Sequence, residues 1–248
     1  MFSPFLGDTP LHVAVLYDQM QTAKLLIEAN SQVNLPNYLN EHPLHVALME
    51  NCTEIIPSLL RAGANPNAIL NIRDTATPLS LAIMCGGDMT LTYVKLLLEA
   101  GADPKLLHNK ALILALKENI HQKDEIVSLL LRYGGDPNAR CLGSPVLMDV
   151  AAISQSSHLV KLLLDHGANV NAINRQGQTA LMVACAKEHT DTVEILLKHG
   201  ADSRMKSWYG MSAHMLIQDS ASGSSQNITT LLRDYDNPTL SYVLSSNQ

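Results

Sequence analysis

A helix-ending residue recurs along this chain at nearly constant spacing, and this periodicity restricts the possible folds more than any other feature. The residue is asparagine once and glycine afterwards, at Asn30, Gly63, Gly101, Gly134, Gly167 and Gly200. The successive spacings are 33, 38, 33, 33 and 33 residues. Glycine and asparagine tolerate the left-handed conformation that commonly ends a helix. A period of roughly 20–50 residues indicates a fold in which one structural unit is stacked on copies of itself.

The stretch VKLLLDHGANVNAINRQGQTAL, which begins at Val160, shows what one period contains. Val160, Leu163 and Leu164 fall on one helical face, and Gly167 ends that helix. A polar turn follows, and Thr179 offers a side-chain oxygen that can cap the next helix. Each period therefore predicts a helical unit whose apolar side chains are buried mainly against its neighbours.

Two motifs repeat with this period. TPLHVA at Thr9–Ala14 returns as HPLHVA at His42–Ala47, TPLSLA at Thr77–Ala82 and TALMVA at Thr179–Ala184, and LLLxxGAxxN surrounds the glycines. A 33-residue period with these motifs resembles the ankyrin-repeat family. The resemblance implies an all-α ankyrin-repeat solenoid of helix–turn–helix units joined by β-turn fingers. It also gives His12 and His45 a structural hydrogen-bonding role in the turns.

The resemblance divides the chain into repeats and two ends. Six repeats are expected at approximately 6–38, 39–73, 74–106, 107–142, 143–175 and 176–208. Residues 1–5 are expected to be an N-terminal cap or the remnant of a longer chain. Residues 209–236, which include the linker-like Ser220–Gln226, are expected to form a degenerate seventh repeat or a C-terminal cap, and residues 237–248 a tail.

Irregular spacing marks individual features inside the repeats. Pro57 falls near the start of a second helix and predicts a short or bent helix there. The finger at Ala68–Thr75 is longer than the others and should protrude. The finger after Gly101 is shorter and should be stunted.

Composition argues against several kinds of partner. The 17 basic and 23 acidic residues give a net charge of −6 without a basic cluster, so no nucleic acid is expected. No signal peptide is recognisable and no apolar run reaches roughly 18 residues, so no membrane partner is expected either. The four scattered cysteines, Cys52, Cys85, Cys141 and Cys185, are typical of buried, reduced thiols. A cytoplasmic location is expected, with the nucleus as an additional one.

No residues form a pattern typical of catalysis. His121, Asp124 and Glu125 could suggest a metal site, but such residues in a polar loop are usually solvated. Phosphate-binding glycine motifs and a spacing that suggests a catalytic triad are both missing from the sequence. The sequence therefore predicts no enzyme, no metal and no cofactor.

The resemblance instead implies a monomeric module that binds another protein through its finger tips and the concave face of its first helices. The matching finger-tip positions are Tyr38, Asn40, Arg73, Asp74, Arg140, Arg175, Gln176, Trp208 and Tyr209. The matching first-helix positions are Tyr17, Met49, Glu50, Met84 and Lys187. Trp208 and Tyr209 have two interpretations, because they fit either partner contacts or a cover over the end of the stack.

Two roles within the family remain open. One is a regulator or inhibitor in intracellular signalling, similar to the cytoplasmic inhibitors of NF-κB. The other is a substrate-recruiting adaptor of a ubiquitin ligase. Asn171 adds a separate hypothesis, since its context is similar to that of asparagines modified by oxygen-sensing hydroxylases in ankyrin domains.

Overall fold

The computed structural model describes residues 7–70, 75–85, 87–217 and 223–236. The chain separates into two compact units, Met1–Asp136 (unit 1) and Pro137–Gln248 (unit 2). Both units consist of short antiparallel helix pairs, and the described residues hold one two-stranded sheet. None of the helices in the described ranges is long and apolar enough to cross a membrane.

Unit 1 contains four helix pairs. They are α1 (Pro10–Leu16) with α2 (Met20–Glu28), α3 (Pro43–Met49) with α4 (Ile56–Arg61), α5 (Pro78–Cys85) with α6 (Thr90–Glu99), and α7 (Leu106–Lys117) with α8 (Lys123–Arg132). The first helices pack side by side in the order α1, α3, α5, α7. Helix α3 is the most buried of these elements, because six of its seven residues are buried. The core of this unit therefore lies between its two layers of helices.

Unit 2 continues the same construction. It contains β1 (Arg140–Cys141), β2 (Ser144–Pro145), α9 (Val146–Ala151), α10 (Ser157–Asp165), α11 (Ala180–Ala186), α12 (Thr190–Lys198) and α13 (Gly223–Asp236). Helix α9 packs on α10 and α11, while α12 packs on α10, α11 and α13. The two strands pair antiparallel and form the first finger of this unit.

The periodic glycines end the helices as expected. Gly63, Gly101, Gly134, Gly167 and Gly200 have φ between 83° and 100°, and Asn30 has φ 59°. Helix starts are also confirmed, because Thr179 Oγ1 accepts a hydrogen bond from the backbone N–H of Met182. These residues set the bounds of the helices and hence the positions of the fingers between them.

The irregular spacings have visible consequences. Helix α4, which carries Pro57 in its first turn, has 6 residues, whereas α2, α6 and α8 have 9 or 10. The finger after Gly101 is short, as expected, since a left-handed turn at Leu107, His108 and Asn109 leads directly into the regular part of α7. The tip of the finger predicted to protrude, residues 71–74, lies outside the described residues, although Leu70 and Ala76 form a β-bridge at its base.

The C-terminal region completes unit 2 with a modified unit. A 3₁₀ turn at Ala213–Leu216 stands in place of a first helix and packs on α11. Helix α13 packs on α12 and buries Ile228 and Leu232 completely. The predicted linker at Ser220–Gln226 is therefore wrong from Gly223 onward, because burial of an i, i+4 apolar pair stabilises a helix despite its poor helix-forming residues. Residues 218–222 and the predicted tail lie outside the described residues.

Candidate functional site

His12 joins the first finger of unit 1 to the second. Its Nδ1 accepts a hydrogen bond from Thr9 N at 3.2 Å, and its Nε2 lies 2.9 Å from the backbone oxygen of Glu41. A carbonyl can only accept, so this arrangement places the ring proton on Nε2. Burial lowers the pKa of His12 and outweighs the opposing bond to Glu41. The ring is therefore a neutral structural link, as the sequence predicts.

His45 repeats this arrangement one finger further on. Its Nδ1 accepts from His42 N at 3.0 Å, and its Nε2 donates to the backbone oxygen of Ala68 at 3.1 Å. The side chain is completely buried, and this burial lowers the pKa of His45 to about 4. The structural role predicted for both histidines is thus confirmed, and neither is available as a catalytic base.

A row of asparagines joins consecutive turns behind the fingers. Asn34 Nδ2 donates to Gly63 O at 2.8 Å, and Asn34 Oδ1 accepts from Asn65 N at 2.7 Å. The same pair of bonds is made by Asn67, Asn138 and Asn171. Asn171 is therefore bonded through both ends of its amide, to Gly200 O and Asp202 N. Hydroxylation of Asn171 stays a prediction.

The row changes form where the sequence lacks an asparagine. Lys105 stands at that position. After Leu106, three consecutive residues adopt the left-handed region: Leu107, His108 and Asn109, with φ 53°, 56° and 62°. This turn brings Asn109 Oδ1 to 2.9 Å from Asp136 N, the bond that the missing asparagine would make. The distortion of α7 therefore preserves the connection between turns.

The first-helix face of unit 1 carries an acidic surface with an apolar floor. Leu16, Val46 and Met49 line a small depression of about 20 Å³ beside Asp8, Glu41 and Glu50. Asn37 Nδ2 donates to both Asp8 and Glu41 at 2.8 Å, whereas Glu50 is exposed. The depression holds little more than a water molecule. A partner would therefore lie across this face rather than insert into it.

The first 60 residues, which supply this face, are more acidic than the rest of the chain. Within residues 1–60 the only basic residue is Lys24, against the six acidic residues Asp8, Asp18, Glu28, Glu41, Glu50 and Glu54. The nearby histidines do not offset this charge, because burial lowers the pKa of His12, His42 and His45. Acidic side chains thus lie beside the half-buried Leu16 and Met49 on this face.

The other predicted positions of unit 1 differ in their surroundings. Tyr17 and Met84 are 58% and 51% exposed at the ends of first helices. The ring of Tyr38 lies over Gly7 yet remains 83% exposed. Asn40 Nδ2 donates to Ile69 O at 2.9 Å, so this side chain also links two fingers. Arg73 and Asp74 lie outside the described residues.

The finger residues of unit 2 contact neighbouring fingers. Arg140 Nη1 donates to Gly143 O at 2.9 Å and to Ile173 O at 3.1 Å. Trp208 donates through its backbone N to Gln176 O and through Nε1 to Arg175 O, at 3.0 and 3.1 Å. Its ring covers Gly177 and is 68% exposed. Trp208 therefore packs on the finger before it, while its outer face remains accessible.

Leu142 is a surface residue that sequence reasoning missed. It lies at the tip of the β1–β2 finger and is 88% exposed. Tyr209 is 78% exposed, and Gln176 and Lys187 are exposed as well. The signal for Leu142 was available in the sequence, since a leucine precedes glycine at the tip of a short finger.

The groups weighed for chemistry do not assemble into a reaction centre. His121 Nε2 lies 3.8 Å from Asp88, and Glu125 pairs with Lys95 at 2.7 Å. No group of three metal-ligating side chains is found in the described ranges.

Ser203 and His214 both bind the carboxylate of Asp236, an arrangement that ties the end of α13 to the last finger.

The cysteines correspond only in part to the expected buried thiols. Cys52 and Cys185 are buried, and burial raises the pKa of Cys185 to about 12. Cys85 is exposed and Cys141 is half-buried, so the expectation of burial is wrong for them. Exposure alone does not make Cys85 reactive, because its raised pKa disfavours the thiolate.

Comparison with known proteins identifies the class. A family model described as ankyrin repeats (three copies) matches residues 3–70 and 112–207, more than half of the chain. The protein belongs to the ankyrin-repeat family, whose domains are generally non-catalytic and bind other proteins.

Curated relatives match short stretches of the chain. "Protein fem-1 homolog A" of Danio rerio is 35% identical over 83 residues, 28% of this chain and 14% of the relative. "Nuclear factor NF-kappa-B p105 subunit" of Gallus gallus is 32% identical over 94 residues, 36% of this chain and 9% of the relative. "Ankyrin repeat and SOCS box protein 5" of Bos taurus is 40% identical over 82 residues, 32% of this chain and 24% of the relative. The chain therefore spans less than a quarter of the length of each relative.

Solved structures match over most of the chain. The ankyrin-repeat domain of Bcl-3, described as a unique member of the IkappaB protein family, gives a TM-score of 0.73 at 28% identity. That match covers 92% of this chain and 99% of the Bcl-3 chain. The human ASB11 ankyrin-repeat domain gives 0.66 at 26% identity, with 90% and 98% covered. Both likenesses agree with the two roles suggested by the sequence.

Proposed function

We propose that this protein is a non-enzymatic interaction module, and that the first-helix face of unit 1 and the finger tips are its binding surfaces. The observation that carries the proposal is the acidic face around Leu16, Val46 and Met49. Negative charge beside accessible apolar atoms suits a partner segment with basic and apolar side chains, since complementary charge accelerates association and selects partners. The protein is monomeric by itself in this proposal.

Affinity capture with reversed charges tests this surface. Glu50→Lys changes the acidic face, whereas Glu28→Lys makes the same change at the exposed end of α2. Capture from cells with quantitative mass spectrometry should show partners lost with Glu50→Lys and retained with Glu28→Lys. A further arm with Trp208→Ala examines the fingers of unit 2. The proposal is wrong if neither Glu50→Lys nor Trp208→Ala alters the bound proteins.

The proposed role is that of a regulator or inhibitor in intracellular signalling. The likeness to the p105 subunit and to Bcl-3 supports this role. The proposal includes a cytoplasmic location with a nuclear fraction. Fractionation of cells and imaging of the tagged chain test the location. Recovery of the chain only outside these compartments would contradict this part of the proposal.

A substrate-recruiting adaptor of a ubiquitin ligase is the second candidate. It is favoured by the likeness to "Ankyrin repeat and SOCS box protein 5" and to ASB11. Co-purification with ubiquitin-ligase scaffold subunits distinguishes the two roles. An adaptor should capture these subunits even with Glu50→Lys, because ligase and substrate would occupy different surfaces.

A further inference from the structure

Three consecutive fingers of unit 2 place their tips in one continuous row. The guanidinium of Arg175 lies over Gly143, and the indole of Trp208 lies over Gly177. These contacts make neighbours of five exposed side chains, defined here as the finger strip: Leu142, Arg175, Gln176, Trp208 and Tyr209. Tryptophan, tyrosine and arginine are the residue types that contribute most to protein–protein binding energy.

Leu142 has neither burial nor a favourable backbone position to explain its presence. It has φ 52° and is followed by Gly143 with φ 88°, between the paired residues Cys141 and Ser144. Two-residue turns with both φ values positive favour asparagine, aspartate or glycine. A leucine there adopts an unfavourable conformation while 88% of its surface meets solvent. An unfavourable residue at an exposed tip is consistent with a contact made in a complex.

The fingers of this unit carry a basic charge. Residues 137–145, 168–179 and 201–212 contain four basic side chains, Arg140, Arg175, Arg204 and Lys206, and one acidic residue, Asp202. The carboxylate of Asp202 accepts a hydrogen bond from Arg204 N at 2.9 Å. The three finger segments therefore carry net positive charge, with Arg175 at a tip and Arg204 beside Asp236 at the end of α13.

We infer that the finger strip binds an acidic segment of a partner protein that carries an apolar side chain. The apolar side chain packs between Leu142 and Trp208, and carboxylates of the segment face Arg175 and Lys206. A nucleic acid fits this surface less well, because its phosphates would gain no binding energy from contact with an exposed leucine. The net charge of −6 on the chain also repels a polyanion. This inference deepens the proposed function and rests on it, but it concerns a surface separate from the acidic face of unit 1.

Fluorescence anisotropy on the full chain tests the inference with three labelled probes. One is a short peptide in which glutamates flank leucine and phenylalanine, the second has lysine in place of each glutamate, and the third is a single-stranded DNA oligonucleotide. The acidic peptide should bind at least tenfold more tightly than either of the others. Equal or tighter binding of the lysine peptide or of the DNA would overturn the inference.

Two variants and a matched control locate the site. Leu142→Gly and Arg175→Glu should each weaken binding of the acidic peptide at least tenfold. Arg233→Glu makes the same charge change at the exposed last turn of α13 and should change the affinity less than twofold. Leu142→Gly suits the turn, so its melting temperature should be unchanged or higher, and weaker binding cannot then be attributed to unfolding.

Full affinity of both Leu142→Gly and Arg175→Glu for the acidic peptide would overturn the inference. So would an equal loss of affinity with Arg233→Glu. Neither result affects the capture experiment with Glu50→Lys, which examines the other unit. Failure of the finger strip and failure of the proposed function are therefore distinguishable.

Discussion

Units 1 and 2 fasten their fingers by different chemistry at the same position of the repeat. The third residue of the first helix is His12 or His45 in two repeats of unit 1, and each ring binds a carbonyl of the next finger. In unit 2 the residue at this position, two before the repeated alanine at Ala151 and Ala184, is the half-buried Asp149 or the buried Met182. One scaffold position thus accepts a titratable hydrogen-bonding ring, a carboxylate or an uncharged apolar chain. The choice decides how each unit responds to acid.

The surfaces of the two units also differ in charge. The first-helix face of unit 1 is acidic, and the fingers of unit 2 are basic and aromatic. Scaffold positions are restricted by packing, whereas finger tips are free to vary. A repeat fold can therefore present different binding chemistry on each unit without a change of architecture.

The largest expected difference between the two units is in their stability at low pH. Folded His45 has a pKa of about 4 against its ordinary 6.5, so between these values the unfolded chain binds more protons than the folded chain. Stability is therefore complete above pH 6.5 and is lost as the pH falls towards 4, by about 3 kcal/mol for this residue. Hydrogen exchange at α3 and α11, corrected for intrinsic rates, should show protection falling in α3 first.

His45→Met converts unit 1 to the chemistry of unit 2 and serves as the control. The variant loses two hydrogen bonds, so it should be less stable than the wild type at pH 7, by about 2 kcal/mol. Its stability should then vary less between pH 6.5 and 4. An unchanged slope in this variant would show that His45 is not the source of the acid sensitivity.

The helix-ending glycines should show where the two units are alike. Gly134 and Gly200 have φ 100° and 83°, and nothing lies within 4 Å of the position of an added Cβ at either glycine. The cost of Gly134→Val and of Gly200→Val is then a backbone cost alone, about 1–2 kcal/mol in each case. Denaturant unfolding measures both. Melting temperatures equal to that of the wild type would contradict the helix-stop role.

The scaffold was predictable because local rules and the repeat agree. Gly167 ends a helix, Thr179 caps one and His12 binds in a turn, and each role follows from residue type and period. The left-handed turn ending at Asn109 was not predictable from the local sequence, because its cause is a missing bond to another repeat. An asparagine four residues after Lys105 is the only trace of that turn in the sequence.

The candidate site was less predictable than the scaffold. Sequence position correctly places Trp208 and Tyr209 at an exposed finger, but it does not reveal that Trp208 packs on Gly177. Arg140 was expected to face a partner, yet it also binds two backbone carbonyls of its own unit. Period identifies which residues lie at tips. Contacts between fingers decide which of them remain accessible.

Asparagine substitutions compare the regular bonds between consecutive turns, made by residues such as Asn171, with the left-handed turn that replaces them at Asn109. Asn109→Ala in unit 1 removes the acceptor for Asp136 N and places alanine at φ 62°, whereas Asn171→Ala in unit 2 removes two bonds. Each should lower the free energy of unfolding by about 1 kcal/mol. Denaturant unfolding of both variants checks this. A negligible effect of Asn109→Ala alone would mean that the left-handed turn does not replace the missing asparagine.

Leu142→Asn should have the smallest effect on stability and the opposite sign. Asparagine adopts positive φ more readily than leucine, and Leu142 is too exposed to lose much packing, so the free energy of unfolding should rise by about 0.5 kcal/mol. Ser144→Ala in the paired strand is a control that leaves the turn conformation unchanged. A gain in stability together with weaker binding of the acidic peptide would mean that Leu142 serves recognition at the expense of stability. A loss of stability would mean that Leu142 stabilises the finger, and its exposure would then carry no information about a partner.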